Sequence, residues 1–173
     1  VNGACSIYVY RKLSKIFDVP TMTDGKKNKK QINAAQLSKI VKQTIEDQKE
    51  EISVIIERVS AMPGQGVTSM FNFGQSFGVI KGIFSTLEIP IYFVSPAKWK
   101  KHFNLIGSEK DASRTKAIEL FPKFSNEISR KKDANKADAI LIGKYFLDHF
   151  NNGGYHGHAV SYTHLTLPTT VSV

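Results

Sequence analysis

Three acidic side chains stand where charge is costly, and their spacing suggests chemistry. Glu57 lies in "ISVIIERVSAMPGQG", where Ile52, Val54, Ile55, Ile56 and Val59 read as a strand buried on both faces. A carboxylate there costs on the order of several kcal/mol unless something pairs with it. Asp138 lies in "KADAILIGKYF", flanked by alanines and aliphatics on the first turns of a helix, and Asp133 stands five residues earlier at the helix start. Packing this strand against this helix would bring two or three carboxylates into one partly buried site. A hard divalent cation bound through oxygen, Mg²⁺ or Mn²⁺, would relieve their repulsion and desolvation. Glu57, Asp138 and Asp133 are therefore the candidate catalytic and metal-ligating residues. Each also has a plain reading. Asp133 is a good helix cap, Asp138 favours the positive end of a helix dipole, and Glu57 could pair with a lysine. Arg58 is a poor partner for Glu57, because neighbours on a strand point to opposite faces. No His/Cys spacing suits zinc.

The elements that must position these groups follow in order. Ser6 to Tyr10 and Leu13 to Val19 read as hairpin strands with a turn at Arg11-Lys12. "PTMTDGKKNKKQ" reads as a polar loop. Asn33 is placed to cap a helix whose apolar face is Leu37, Ile40, Val41 and Ile45. The Glu57 strand follows, and "MPGQG" leads into a long helix from about Thr68 to Leu87. "IPIYFVSP" is a second buried strand, and Ser95-Pro96 opens another helix. Further helices run from about Glu109 to Leu120 and from near Asp133 to about Phe150. This order predicts one α/β domain with a mixed sheet, antiparallel in the hairpin and parallel in the later crossovers, flanked by helices.

The 173 residues suffice for one domain with a real core. Basic residues outnumber acidic ones 24 to 15, for a net charge of +9, which points to an anionic partner with nucleic acid ahead of membrane. Cys5 is the single cysteine, which excludes a disulfide framework and suits a reducing, intracellular setting. No apolar run has the length of a membrane span. "VNGACSIYVY" starts in mid-strand without methionine, so an amino-terminal truncation is expected. Val160 to Thr169, "VSYTHLTLPT", carries no Lys, Arg, Asp or Glu and resembles the translation of a transposase-type sequencing adapter. On that reading residues 1–158 are the domain, 159–173 are a non-native tail outside the fold, and His164 has no role.

Taken together, "VIIERVSAMPGQGVTSMFNFGQSFGVIKG", "PIYFVSPAKWKK" and "KKDANKADAILIG" resemble the RuvC-type Holliday junction resolvases of the RNase H-like nuclease superfamily, and phage-borne members most of all. The similarity covers roughly Val1 to Phe150. It implies an RNase H-like fold, a homodimer, and Mg²⁺-dependent symmetric nicking of four-way DNA junctions in the cytoplasm of a bacterial or phage-infected cell. By the resemblance, Glu57 matches the glutamate that ends the central strand, and Asp138 matches the final aspartate of the last helix. The family often has an acid three residues before that aspartate, where this chain has Asn135; Asp133 is the available substitute. The family's first metal-binding aspartate sits in a "DPG" directly ahead of a segment like "VNGA", where this chain begins. The intact protein is therefore expected to be an enzyme and this chain inactive or nearly so.

The basic residues cluster at Lys26, Lys27, Lys29 and Lys30; at Lys98, Lys100 and Lys101; at Lys110, Arg114 and Lys116; and at Arg130, Lys131 and Lys132. Phosphate contacts from such groups would be salt-sensitive and largely independent of sequence. Lys98 and Lys110 resemble in position lysines that support cleavage in the family, and with Arg114 they are the expected DNA contacts. Phe71 lies off the stripe of Met70, Phe73 and Phe77 and is the DNA-facing aromatic, while Phe73 and Phe77 have core spacing. Two rival functions stay open: another RNase H-like nuclease with a different substrate, and a non-catalytic module that binds DNA by its structure.

Overall fold

The computed structural model describes residues 2–25, 29–47, 52–58, 60, 62–149 and 158–166. Strands β1 (Asn2–Val9) and β2 (Lys12–Asp18) form the expected antiparallel hairpin. Val9 pairs with Lys12, so the turn is Tyr10-Arg11, one residue earlier than the pattern suggests. Both turn residues have positive φ, 48° and 66°. Such a two-residue turn matches the right-handed twist of the strands it joins.

The expected polar loop is instead a small antiparallel ribbon, β3 (Thr21–Asp24) with β4 (Lys29–Ile32). The β-branched Thr21 and Thr23 favour a strand, and the lysines that suggested a loop stand on its exposed surface. Gly25 has φ 64°, a backbone state that only glycine adopts freely. Lys26 and Lys27 lie outside the described residues, as do Val59 and Phe150.

Helix α1 (Ala34–Glu46) starts as expected, with Asn33 Oδ1 accepting from the Gln36 amide at 3.1 Å. Then follow β5 (Ile52–Glu57), α2 (Val67–Thr86), β6 (Ile91–Val94), α3 (Pro96–His102), α4 (Ala112–Leu120), 3₁₀ turns at Pro122–Ile128 and Lys131–Asp133, and α5 (Ala134–His149).

Strand β7 (His158–Thr166) comes from the segment that the adapter reading sets outside the fold. It occupies the centre of the five-stranded sheet, whose order is β2-β1-β7-β5-β6. It runs antiparallel to β1 and parallel to β5, which is parallel to β6. The placement has a physical reason. "HAVSYTHLT" is free of Asp, Glu, Lys and Arg and rich in β-branched and aromatic residues, as a strand with two neighbours requires. The mixed α/β architecture is as expected, with this strand as the added element.

Alternation along the strands builds a core on each face. Cys5 and Ile7 of β1 and Ile52, Val54 and Ile56 of β5 pack with Leu37 and Val41 of α1 and Ile80 and Phe84 of α2. Tyr8 of β1 and Ile55 of β5 face the other way, onto Trp99 of α3, Ala117 of α4 and Ile140, Leu141 and Phe146 of α5. All six residues of β5 are buried, the signature of a strand covered on both faces. Two side-chain bonds fasten α5 to β1: the Ser6 hydroxyl donates to the Ala139 carbonyl at 2.8 Å, and the Tyr8 hydroxyl to the Ile140 carbonyl at 2.6 Å. They fix the helix turn that carries Asp138. No helix among the described residues is long and apolar enough to cross a membrane.

Candidate metal centre

Glu57 is the last residue of β5 and only 7% exposed. Strand alternation puts it on the same face as Ile55, toward α3 and α5. There it meets the indole of Trp99, whose Nε1 donates to Glu57 Oε2 at 2.5 Å. Trp99 is fully buried in α3, and a buried indole needs such an acceptor. Asp138, in the second turn of α5, is close enough for its charge to act on Glu57. Its carboxyl is hydrogen-bonded by the hydroxyl of Ser113, a buried residue of α4. The ammonium of Lys100, next to Trp99 on α3, acts on both carboxylates. Four elements thus deliver one acidic pair, one cation and two neutral donors.

The electrostatics follow from burial. Glu57 is pushed up to about 7, chiefly because burial disfavours its charge and also through the Asp138 charge; the Trp99 bond and Lys100 pull the other way. Asp138 is pushed up to about 6 by burial, against the Ser113 bond and Lys100. Paired carboxyls held above their ordinary range characterise functional clefts more than structural ion pairs. The donor set is also right for a hard cation. Two carboxylate oxygens suit an ion such as Mg²⁺, which keeps several waters and takes its remaining ligands from substrate phosphate. Among the described residues, no group of three or more His, Cys, Asp or Glu side chains forms a complete cage.

Asp133 is not brought to this pair. It caps the 3₁₀ turn ahead of α5 and is held by Arg130: its Oδ2 accepts from the Arg130 amide and Nε, both at 3.1 Å, and its Oδ1 from the guanidinium at 3.2 Å. Those bonds lower its pKa, the reverse of Glu57 and Asp138. The capping reading describes its place. Replacing Asp133 by Asn is therefore expected to cost about 1–2 kcal/mol of stability at pH 7 and leave Mn²⁺ affinity unchanged. The folded-state pKa is depressed, so this stability is present above the unfolded value near 4 and fades as pH falls through the folded one. Urea unfolding at pH 7 and pH 3 reads the difference.

The basic candidates separate as well. Lys98 and Lys110 are exposed, free to reach solvent. Arg114 is occupied internally: its Nε and a terminal nitrogen bind Asp111 at 2.8 and 2.7 Å, and its other nitrogen reaches the carbonyls of Ile128 and Ser129. It ties the start of α4 to the end of the following 3₁₀ turn. Phe71 is 70% exposed on α2, as its phase predicts, while Phe77 packs against the core. In "MPGQG", Gly64 has φ 83°, which makes glycine necessary there.

Sequence reasoning missed Trp99 and Ser113, and it placed Lys100 in a basic cluster without bringing it to the carboxylates. One signal was present: the chain's only tryptophan stands in the lysine-rich "SPAKWKKH", a place where an indole must bury its ring and find an acceptor. Trp99→Phe removes that donor. Glu57 is then expected to titrate higher, and a buried acceptor left unmatched costs about 1–3 kcal/mol above pH 8, where Glu57 is charged. Urea unfolding across pH would show the penalty shrinking below pH 6; a uniform loss at all pH values would mean that the ring, not the bond, is what matters.

No protein-family model matches the chain, and no curated protein is significantly similar to it.

Proposed function

We propose that this chain carries the body of a metal-dependent, structure-specific endonuclease of RNase H-like fold that acts on four-way DNA junctions. The observation that carries the reading is the pair of buried Glu57 and half-buried Asp138, both carboxyls raised toward neutrality, with Lys100 beside them at the carboxyl end of a parallel strand. Open α/β sheets place their ligands at that end of the strands. The resemblance of the three segments around these residues to RuvC-type resolvases narrows the class, and the net charge of +9 suits a polyanionic substrate.

Glu57 and Asp138 would hold Mg²⁺ or Mn²⁺, which would supply an activated water and neutralise charge on the scissile phosphate. The chain's own residues do the rest. Trp99 fixes the Glu57 carboxyl in one rotamer, and Ser113 does the same for Asp138. Lys100 lowers the cost of keeping both carboxylates ionised before a cation arrives, and it offers a positive charge to an incoming phosphate. Lys98 and Lys110 would contact the backbone of the DNA. A junction with two-fold symmetry calls for two equivalent sites, and so for a homodimer.

The test is cleavage of a labelled four-way junction in Mg²⁺ and in Mn²⁺, by this chain and by one that carries, ahead of Val1, the "DPG" segment that the resemblance implies. Paired nicks that vanish in Glu57→Gln support the proposal. Equal cutting of a matched linear duplex would instead indicate another RNase H-like substrate. Tight junction binding with no nick in either metal would leave a binding module.

A further inference from the structure

A second group of residues lies at the same end of β5 but on the opposite side of the sheet. Arg58 follows Glu57 directly, and its amide donates to the Val94 carbonyl at 2.8 Å, which fixes it beside β6. Strand β6 is the edge of the sheet. Its Phe93 is 42% exposed, so part of the ring is open to solvent. The Arg58 guanidinium stands 5.7 Å from the Phe93 ring centre. From α2, the Lys81 ammonium lies 6.0 Å from the same ring and 5.7 Å from that of Phe77. Phe77 and Phe93 are 5.9 Å apart, and Phe73 stacks on Phe77 at 6.4 Å with the planes only 6° apart. Both cations are exposed, and among the described residues neither is in an ion pair with a carboxylate.

We propose that Arg58, Lys81 and Phe93 form a binding site for an unpaired stretch of nucleic acid, with a base on the Phe93 ring and its phosphates on the two cations. Two like charges over one ring repel each other, and an anion between them removes that repulsion. The ring adds the second half of the recognition. A base inside a duplex already has both faces stacked, whereas an unpaired base has a face to offer an aromatic side chain. An acidic peptide would satisfy the cations and leave the ring unused. The inference rests on the nuclease reading for its choice of partner: Arg58 follows Glu57 in the chain, so the patch and the metal centre share the carboxyl end of β5 from opposite faces of the sheet.

The experiment measures binding of a fluorescent ten-residue oligothymidine and of a matched ten-pair duplex, in EDTA and at two salt concentrations. EDTA removes cleavage, so failure of the nuclease reading does not affect the result. Phe93→Ala is expected to weaken the single strand about ten-fold and leave the duplex unchanged. Lys81→Met and Arg58→Met should each flatten the salt dependence of single-strand binding by roughly 0.7 in the log–log slope. Phe93→Leu keeps apolar volume at the sheet edge and should show the same loss, which separates stacking from folding. Unchanged single-strand affinity in both Phe93 variants overturns the proposal. So does an equal loss for the duplex, or displacement by polyglutamate at matched charge, which would make the patch a plain anion surface.

Discussion

Replacing Glu57 by Gln is expected to act in opposite directions on folding and on metal binding. In the metal-free chain the substitution stabilises. Burial raises the Glu57 pKa from 4.5 to about 7, so the folded state holds its proton where the unfolded chain has released it. Stability therefore falls as pH rises between those values, and the deficit is complete above the higher one. Its size is about 3 kcal/mol from the linkage relation, with part of it relieved by local relaxation. Gln keeps an oxygen for the Trp99 indole and has no charge to desolvate. At pH 8 the variant should thus be more stable than the parent by roughly 1–3 kcal/mol, and the two should converge near pH 4. Asp138→Asn should behave alike over a lower window, between 3.8 and about 6.

For the proposed metal site, affinity is expected to move the other way. Each carboxylate is a ligand only when ionised, so Mn²⁺ binding should strengthen steeply from pH 5.5 to 7.5 and release protons into the buffer. Either single variant should weaken binding at pH 7.5 at least ten-fold, and the double variant should lose little more, because one remaining carboxylate makes a poor site. Calorimetry in two buffers of different ionisation enthalpy counts the protons, and urea unfolding across pH supplies the stability. A parent stability that does not change from pH 4 to 8 would mean that neither carboxyl is held above its ordinary range. Unchanged Mn²⁺ affinity in Glu57→Gln would place any metal centre elsewhere.

Why Glu57 and Asp138 were legible, and Lys100 was not, comes down to contrast. A carboxylate in "ISVIIE" or "ADAILI" violates the pattern of its own neighbours, and the violation is local. Lysines in "AKWKKH" violate nothing. Deciding that Lys100 turns toward the carboxylates while Lys98 and Lys101 turn to solvent needs the rotational phase of α3. A seven-residue helix with Trp99 as its one buried residue sets that phase only through tertiary packing. Asp133 failed for a third reason. A cap and a metal ligand ask for the same residue type at the same place, and only Arg130, three residues away, settles which role it plays. The ribbon β3–β4 was hidden by its lysines, since an exposed two-stranded ribbon needs no apolar face.

Strand β7 was the largest surprise, and it carries the second large effect: ending the chain at Gly157 is expected to abolish cooperative unfolding. The pairings of β7 run from Asn2↔Thr166 to Ile7↔Val160 on one side and from Ile52↔His158 to Ile56↔Tyr162 on the other. Without it, β1 and β5 stand two strand spacings apart, about 9.6 Å, far too distant to pair with each other. Both would then present unpaired backbone groups in the middle of a sheet, which costs free energy for each group left unsatisfied. The hairpin β1–β2 would keep its hold on the β5–β6 half through α5, by the Ser6 and Tyr8 bonds, and through the core it shares with α1 and α2, with no backbone ladder between β1 and β5. A hairpin is marginal by itself, and exposed strand edges invite association between chains. Thr163→Pro is the milder version, because proline in a strand with two neighbours removes a ladder donor. Its melting temperature should drop by about 10 °C or more while the transition stays cooperative. The truncated chain should show no near-ultraviolet circular dichroism and a broad, concentration-dependent melt. A sharp transition in the truncated chain, at the temperature of the full one, would show that the domain does not need this strand, and that β1 and β5 find another way to close the sheet.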